Sequence, residues 1–262
     1  MWRNSSVWSQ RNFVGNYATR ALRPPEVMFL LRYAEALGGR VLELGCGAGR
    51  ITGYLGARGG EVLGIDISQA MVDYCRARYP DLEFRLGDLS DLSALPDRSR
   101  DVVVAEFNVL GVLDDVERKR VLREIRRVLS DDGLLLFSAH NLAFLPNVPN
   151  PVGLVRRSRD PARLLWNLGR LPLRTRNHRR IAGLERREAD FALVNDQAHD
   201  YRLLHYYIGR DTQARQLEET GFELLECLDG EGHSVRPGEM AADHSELHYA
   251  ARAVPPGNRQ PG

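Results

Sequence analysis

Short apolar runs alternate with amphipathic stretches over residues 40–140. Residues 40–44, 61–65 and 82–86 are strand-length runs closed by turn residues, and residues 50–58 and 69–79 between them carry apolar positions at helical spacing. Strands alternating with helices of this length predict right-handed βαβ units and a parallel sheet. Residues 101–107 read DVVVAEF, whose unbroken apolar middle suits a strand buried on both faces. Residues 114–129 set Val121, Leu122, Ile125, Val128 and Leu129 on one side and arginine and glutamate on the other. This predicts an amphipathic helix, stopped by Asp132-Gly133 before a fifth strand at 134–138.

The rhythm changes outside this block. Residues 26–37 have helical spacing closed by Gly38-Gly39, so residues 1–39 are expected to form an N-terminal helical arm. Residues 144–208 are broken by Pro, Asn and Arg: a short helix at 162–168, an arginine-dense connection at 170–187, and strands at 188–194 and 200–208 around an Asn195-Asp196 turn. A helix at 212–220 and strands at 222–227 and 247–253 then resume the core, and the Pro/Gly-rich residues 255–262 are expected to be a disordered tail. The expected fold is α/β: a doubly wound, Rossmann-like seven-stranded sheet with the last strand antiparallel. Its core takes residues 40–143 and 209–254, and residues 144–208 form an inserted α+β lid.

Composition narrows the class without choosing a function. With 43% hydrophobic and 27% charged residues in a 262-residue chain, a sizeable core is expected. No apolar run suits a membrane span and the first residues lack a signal-peptide core, so a cytoplasmic protein with no membrane partner is expected. Cys46, Cys75 and Cys227 are too few and too scattered for a disulfide framework or a zinc pattern, and read as small core hydrophobes. His233, His244 and His248, with Asp243, match no zinc spacing either, and no metal is expected. Lys119 is the only lysine, so arginine enrichment is chain-wide; the eleven arginines between Arg156 and Arg187 read as a solvated lid surface, and nucleic acid is disfavoured as a partner.

The chemistry begins at Val41 to Arg50, VLELGCGAGR, where a strand breaks into Gly45, Gly47 and Gly49 before a helix. Asp66 ends the next strand and can accept two hydrogen bonds from ribose hydroxyls. The third glycine comes one position early for G-x-G-x-x-G, where Arg50 stands instead, which counts against a pyrophosphate ligand. Glu43 to Gly49, Gly64-Ile65-Asp66-Ile67-Ser68, Gly87-Asp88-Leu89 and Glu106-Phe107-Asn108, in this order, resemble the landmarks of class I S-adenosylmethionine-dependent methyltransferases. The likeness covers about residues 40–140.

That resemblance implies S-adenosylmethionine as cofactor. The amides near Gly45 and Gly47 would face its methionine portion, Asp66 its ribose, and Ile67, Asp88 and Leu89 its adenine; Glu43, Cys46, Gly87, Glu106 and Phe107 complete the implied cofactor set. Methyl transfer needs alignment and, for some acceptors, a base. His140, just beyond the fifth strand, is the first candidate; His205, on a strand face with His199, Tyr201, Leu203 and Tyr207, is the second; Tyr17 could close over the ligand from the arm. The expected activity is methyl transfer to O or N of a small molecule. The rivals are an RNA or protein methyltransferase acting through the arginine-rich lid, and a non-catalytic cofactor-binding protein. The lid strands could also pair across a homodimer.

Overall fold

The computed structural model describes Gly15, Ala18, residues 20–157 and residues 160–255. Five parallel strands, β1 (Arg40–Leu44), β2 (Glu61–Asp66), β3 (Glu83–Leu86), β4 (Arg100–Ala105) and β5 (Leu129–Asn141), lie in the order β3-β2-β1-β4-β5. Strand β6 (Arg186–Arg187), β7 (Phe191–Val194) and β8 (His205–Ile208) form a small antiparallel unit. Strand β10 (Glu246–Ala253) runs antiparallel on β5, and β9 (Phe222–Leu228) pairs with β10. The seven expected core strands are therefore present with the last antiparallel, but the sheet is ten-stranded, because β8 pairs with β5 and carries β7 and β6 with it.

Alternation along each central strand feeds two cores. Leu42, Leu44, Leu63, Ile65, Val103 and Ala105 face one side, with Val121, Leu122 and Ile125 of a helix at Asp115–Val128. Val41, Val62, Val102 and Val104 face the other, with Phe29, Leu30, Ile51 and Leu55. Strands covered on both faces read as unbroken apolar runs, which is why they were legible. The helices are α1 (Pro24–Arg32), α2 (Arg50–Gly56), α3 (Gln69–Arg78), α4 (Asp115–Val128), α5 (Pro151–Arg156), α6 (Pro161–Ile181) and α7 (Arg210–Glu219).

Four local expectations change. Strand β4 stops at Ala105 because Phe107 and Asn108 take left-handed backbone angles, φ 64° and 57°, and turn the chain into a short helix at Val109–Val112. Asp132-Gly133 lies inside β5, which begins at Leu129 and carries a register shift opposite Arg100 to Val102. The arginine-dense segment is mostly helix: α6 starts on the Asp160 side chain, which accepts from the Arg163 N–H at 2.9 Å, has Pro161 in its first turn, and continues past Pro172. Residues 200–204 are not strand, since His199, Asp200 and Tyr201 all have positive φ, 49°, 56° and 60°. The shared face inferred for His199, Tyr201, Leu203, His205 and Tyr207 therefore fails upstream of β8.

The two parts of the chain meet on β5. Strand β4 pairs with it only as far as Phe137, and β10 takes its other edge, so the overhang at His140 and Asn141 is free to pair in parallel with Tyr207 and Ile208 of β8. Asn141 is fully buried, and its Nδ2 donates to the carbonyls of Met240, Ala241 and His244 at 2.9, 2.9 and 3.1 Å. The insertion is thus knitted into the main sheet. All three cysteines are buried. Among the described residues no helix is long and apolar enough to cross a membrane.

Candidate active site

A cavity of about 1090 Å³ opens at the carboxyl ends of β1, β2, β3 and β4 and extends under the insertion. Open α/β sheets bind ligands at this edge, because the loops there leave a crevice where the strand order reverses. All the cofactor-side candidates line it: Glu43, Gly45, Cys46, Gly47, Asp66, Ile67, Gly87, Asp88, Leu89, Glu106 and Phe107.

The glycine turn is held from within. Gly45 and Cys46 donate their N–H groups to the Ile65 carbonyl at 2.8 and 3.1 Å, and the Gly47 N–H donates to Asp66 Oδ2 at 2.8 Å. The amides of Gly45 and Gly47 are therefore already engaged, which corrects the expectation that they face a ligand. Gly45 has φ +66°, and a Cβ there would come within 2.6 Å of Val109. Gly47, at φ +54°, would place a Cβ in open space.

Asp66 also accepts from the Ser68 N–H at 2.8 Å. Each carboxylate oxygen thus receives one backbone donor and keeps a lone pair for a further one. Burial raises the Asp66 pKa, and the backbone donors of Ser68, Gly47 and Ile67 oppose the shift. Asp88 Oδ1 accepts from the Ser90 N–H at 2.8 Å, and Ile67, partly exposed, supplies an apolar surface in the cavity wall. Behind the turn, the buried Glu43 accepts a hydrogen bond from the Thr52 hydroxyl; burial pushes its pKa up to about 7 despite that bond and nearby Arg50.

The residues after β4 form the middle of the wall. Glu106 Oε2 is 2.9 Å from His248 Nδ1 in a fully buried pair, and Asn108 Nδ2 donates to Glu246 Oε2 at 2.7 Å. Glu106 Oε1 and Asn108 Oδ1 are buried without hydrogen-bond partners, two acceptors suited to a ligand ammonium. The Phe107 ring lies under the guanidinium groups of Arg23 and Arg50, at 4.4 and 5.6 Å from its centroid. Arg50 is also paired through both terminal nitrogens with Glu26, Nη2 to Oε1 at 2.6 Å, so the arginine in the sixth position of the turn ties α1 to α2.

The far end of the cavity is built by β5 and the insertion. His140 stacks on Tyr207 with ring centroids 4.9 Å apart and meets His205 edge-on at 5.2 Å. Asp196 Oδ2 accepts from the Tyr207 hydroxyl at 2.7 Å, and Oδ1 from the Ala198 N–H at 2.8 Å. Burial lowers the His140 pKa to about 3 and that of His199 to about 4, with His205 adding to both shifts. Asp196 stays well below the usual carboxylate range, because His205 and the Tyr207 hydroxyl outweigh the cost of its burial.

His140 and His205, predicted separately, are thus brought together, whereas Tyr17 lies outside the described residues. His233 and His244 sit apart from them, both 3.4 Å from Asp229. Sequence reasoning missed Asp196, read as a turn, and the Glu106–His248 pair. Asp196 does make a local turn contact, to Ala198, and only β7–β8 pairing reveals its second partner.

A glycine turn and two acids, Asp66 and Asp88, thus meet at one crevice of an open α/β sheet. The family described as Methyltransferase domain matches residues 41–133. A probable S-adenosylmethionine-dependent methyltransferase of Mycolicibacterium smegmatis is 39% identical over 123 residues, 46% of this chain and 46% of that protein. The CcbJ methyltransferase of Streptomyces caelestis superimposes with TM-score 0.59 at 20% identity, covering 97% of this chain and 100% of that one. The 1,6-didemethyltoxoflavin-N1-methyltransferase of Burkholderia thailandensis, solved with 1,6-didemethyltoxoflavin and S-adenosylhomocysteine bound, does so with TM-score 0.58 at 13% identity, over 95% and 85%. The chain spans under half the length of the curated relatives it matches first. Over residues 41–133 this chain is similar to S-adenosylmethionine-dependent methyltransferases, and its fold is the one the solved methyltransferase structures have.

Proposed function

We propose that this protein transfers a methyl group from S-adenosylmethionine to an oxygen or nitrogen of a small-molecule acceptor. The observation that carries the reading is the single cavity that joins Asp66 and Asp88 at one end to His140 and His205 at the other. Its volume, about 1090 Å³, suits a nucleoside and a modest second ligand in one chamber. The open space at Gly47, the spare lone pairs of Asp66 and the orphan acceptors Glu106 Oε1 and Asn108 Oδ1 fit the turn, ribose and ammonium of that cofactor. When bound, S-adenosylmethionine supplies an activated methyl group and leaves as a neutral thioether.

The chain's own residues then have to align and enclose. Asp66 holds the ribose, Asp88 and Ile67 the adenine, and Glu106 with Asn108 the methionine ammonium. The insertion covers the acceptor space and keeps water out, which strengthens every polar contact inside. His140 and His205 are the groups that meet the acceptor's proton. The bound pair in the toxoflavin-precursor methyltransferase supports a small-molecule acceptor by analogy. Isothermal titration with S-adenosylhomocysteine tests the reading. The unaltered chain should bind one equivalent, and Asp66→Ala, checked by far-UV circular dichroism, should weaken binding roughly 30-fold or more through loss of charge-assisted hydrogen bonds. Absence of binding to the unaltered chain would sink the proposal.

A further inference from the structure

Three side chains at the acceptor end, His140, Asp196 and His205, each offer one ligand atom, and these atoms all lie within 4.8 Å of one another. They come from β5, from the turn after β7 and from β8, so no spacing along the chain announces them. All three line the cavity. The contact between two of them is unusual. His205 Nδ1 is 3.0 Å from Asp196 Oδ2, yet that nitrogen is buried with no hydrogen-bond partner, because the pair lacks the alignment a hydrogen bond needs.

Two ligand atoms aimed at a shared third point have this relation. With bonds of about 2.1 Å, neighbouring ligands of one cation stand roughly 3.0 Å (octahedral) to 3.4 Å (tetrahedral) apart and do not point at each other. The carboxylate is also braced as metal-ligating carboxylates are, by the Tyr207 hydroxyl at 2.7 Å and the Ala198 N–H at 2.8 Å. We propose that His140, Asp196 and His205 form a binding site for a divalent transition-metal cation of the zinc class within the acceptor end of the cavity. Two imidazoles and one carboxylate are a borderline donor set, which favours Zn²⁺ over Mg²⁺ or Ca²⁺. Three protein ligands leave coordination positions open toward the cavity, where an acceptor oxygen or nitrogen can be held and polarised. The cation then takes the part that a free imidazole would have in preparing the acceptor. This assignment rests on the acceptor space proposed above.

The test uses the full chain, stripped with chelator and titrated with Zn²⁺ alone by calorimetry and with Co²⁺ by visible absorption. One equivalent of Zn²⁺ should bind, and the Co²⁺ complex should show the d–d bands of an ordered site. Asp196→Asn and His205→Gln should each weaken Zn²⁺ binding at least tenfold, while His244→Ala, on the separate Asp229 cluster, should leave it unchanged. Circular dichroism and S-adenosylhomocysteine titration of the same samples establish that each variant is folded. Tyr207→Phe keeps all three ligands and should lose a smaller factor than either ligand substitution. No stoichiometric Zn²⁺ binding to the unaltered chain, or equal binding by folded Asp196→Asn and His205→Gln, overturns the proposal. Zn²⁺ binding that follows the triad without S-adenosylhomocysteine binding would uphold the metal site and remove the cofactor reading instead.

Discussion

Glu43 shows how a residue can be legible in place and illegible in state. Its position in the motif was plain, but its pKa of about 7 follows from complete burial behind the glycine turn, which no sequence window contains. The folded carboxyl keeps its proton between the ordinary value of 4.5 and about 7, so the native state binds more protons than the unfolded chain over that window. Stability contributed by this group is therefore fully present below pH 4.5 and is lost as pH rises through 7, a change on the order of 3 kcal/mol. Urea unfolding of Glu43→Gln should lack that share of the decline between pH 5 and pH 8; an identical decline in both proteins would contradict it. Asp66 and Asp88 were legible because one ends a strand and the other lies two residues past one. The occupied amides of Gly45 and Gly47 were not, since their acceptors, Ile65 and Asp66, lie on the neighbouring strand β2.

Helices were read from their stripes, and α4 marks where a stripe misleads. The side opposite the apolar stripe carries arginine and glutamate, yet Arg118 is fully buried, donating to Gln216 Oε1 at 3.0 Å and Gln213 Oε1 at 2.7 Å on α7 and lying 5.1 Å over the Tyr206 ring. Burial lowers its pKa to about 10. Arg118→Ala would leave a void and the buried Gln213 Oε1 unpaired, with Gln216 Oε1 keeping only the Gln213 amide at 3.3 Å, so denaturant unfolding should record a loss of about 3 kcal/mol or more. Arg118→Lys should recover little of it, because an ammonium lacks the planar fork that spans both glutamines. Helix α6 was read only over 162–168, and its continuation to Ile181 was missed for a related reason. Its arginines suggested a solvated connection, but Arg174 and Arg170 both pair with Asp200, Arg174 through Nε at 2.9 Å, and so brace the left-handed turn beside His199. Part of the basic character that raised RNA as a partner is thus used inside the fold.

At the scale of the molecule, the βαβ rhythm gave the parallel strands, whereas the attachment of the insertion depends on an overhang that only the sheet register defines. Because β8 shares ladder pairs with β5, the two should open together. In native-state hydrogen exchange, the protected amides of β8 should show the same opening free energy as the outer part of β5, and much faster exchange in β8 alone would mean that the insertion opens independently. The overhang has a metric consequence as well. His140 lies three positions beyond Phe137, the last residue of β5 paired with β4, so at about 3.3 Å per residue it stands roughly 10 Å past the end of that strand. Strand β5 acts as a ruler laid toward the far end of the cavity, where His140 meets His205 and Tyr207. Inserting two residues after Phe137 would keep every side chain on its face and still move the graduation on which His140 sits, lengthening the span between the two ends of the cavity and shifting Ser138, whose hydroxyl accepts from the Asn108 N–H at 2.8 Å.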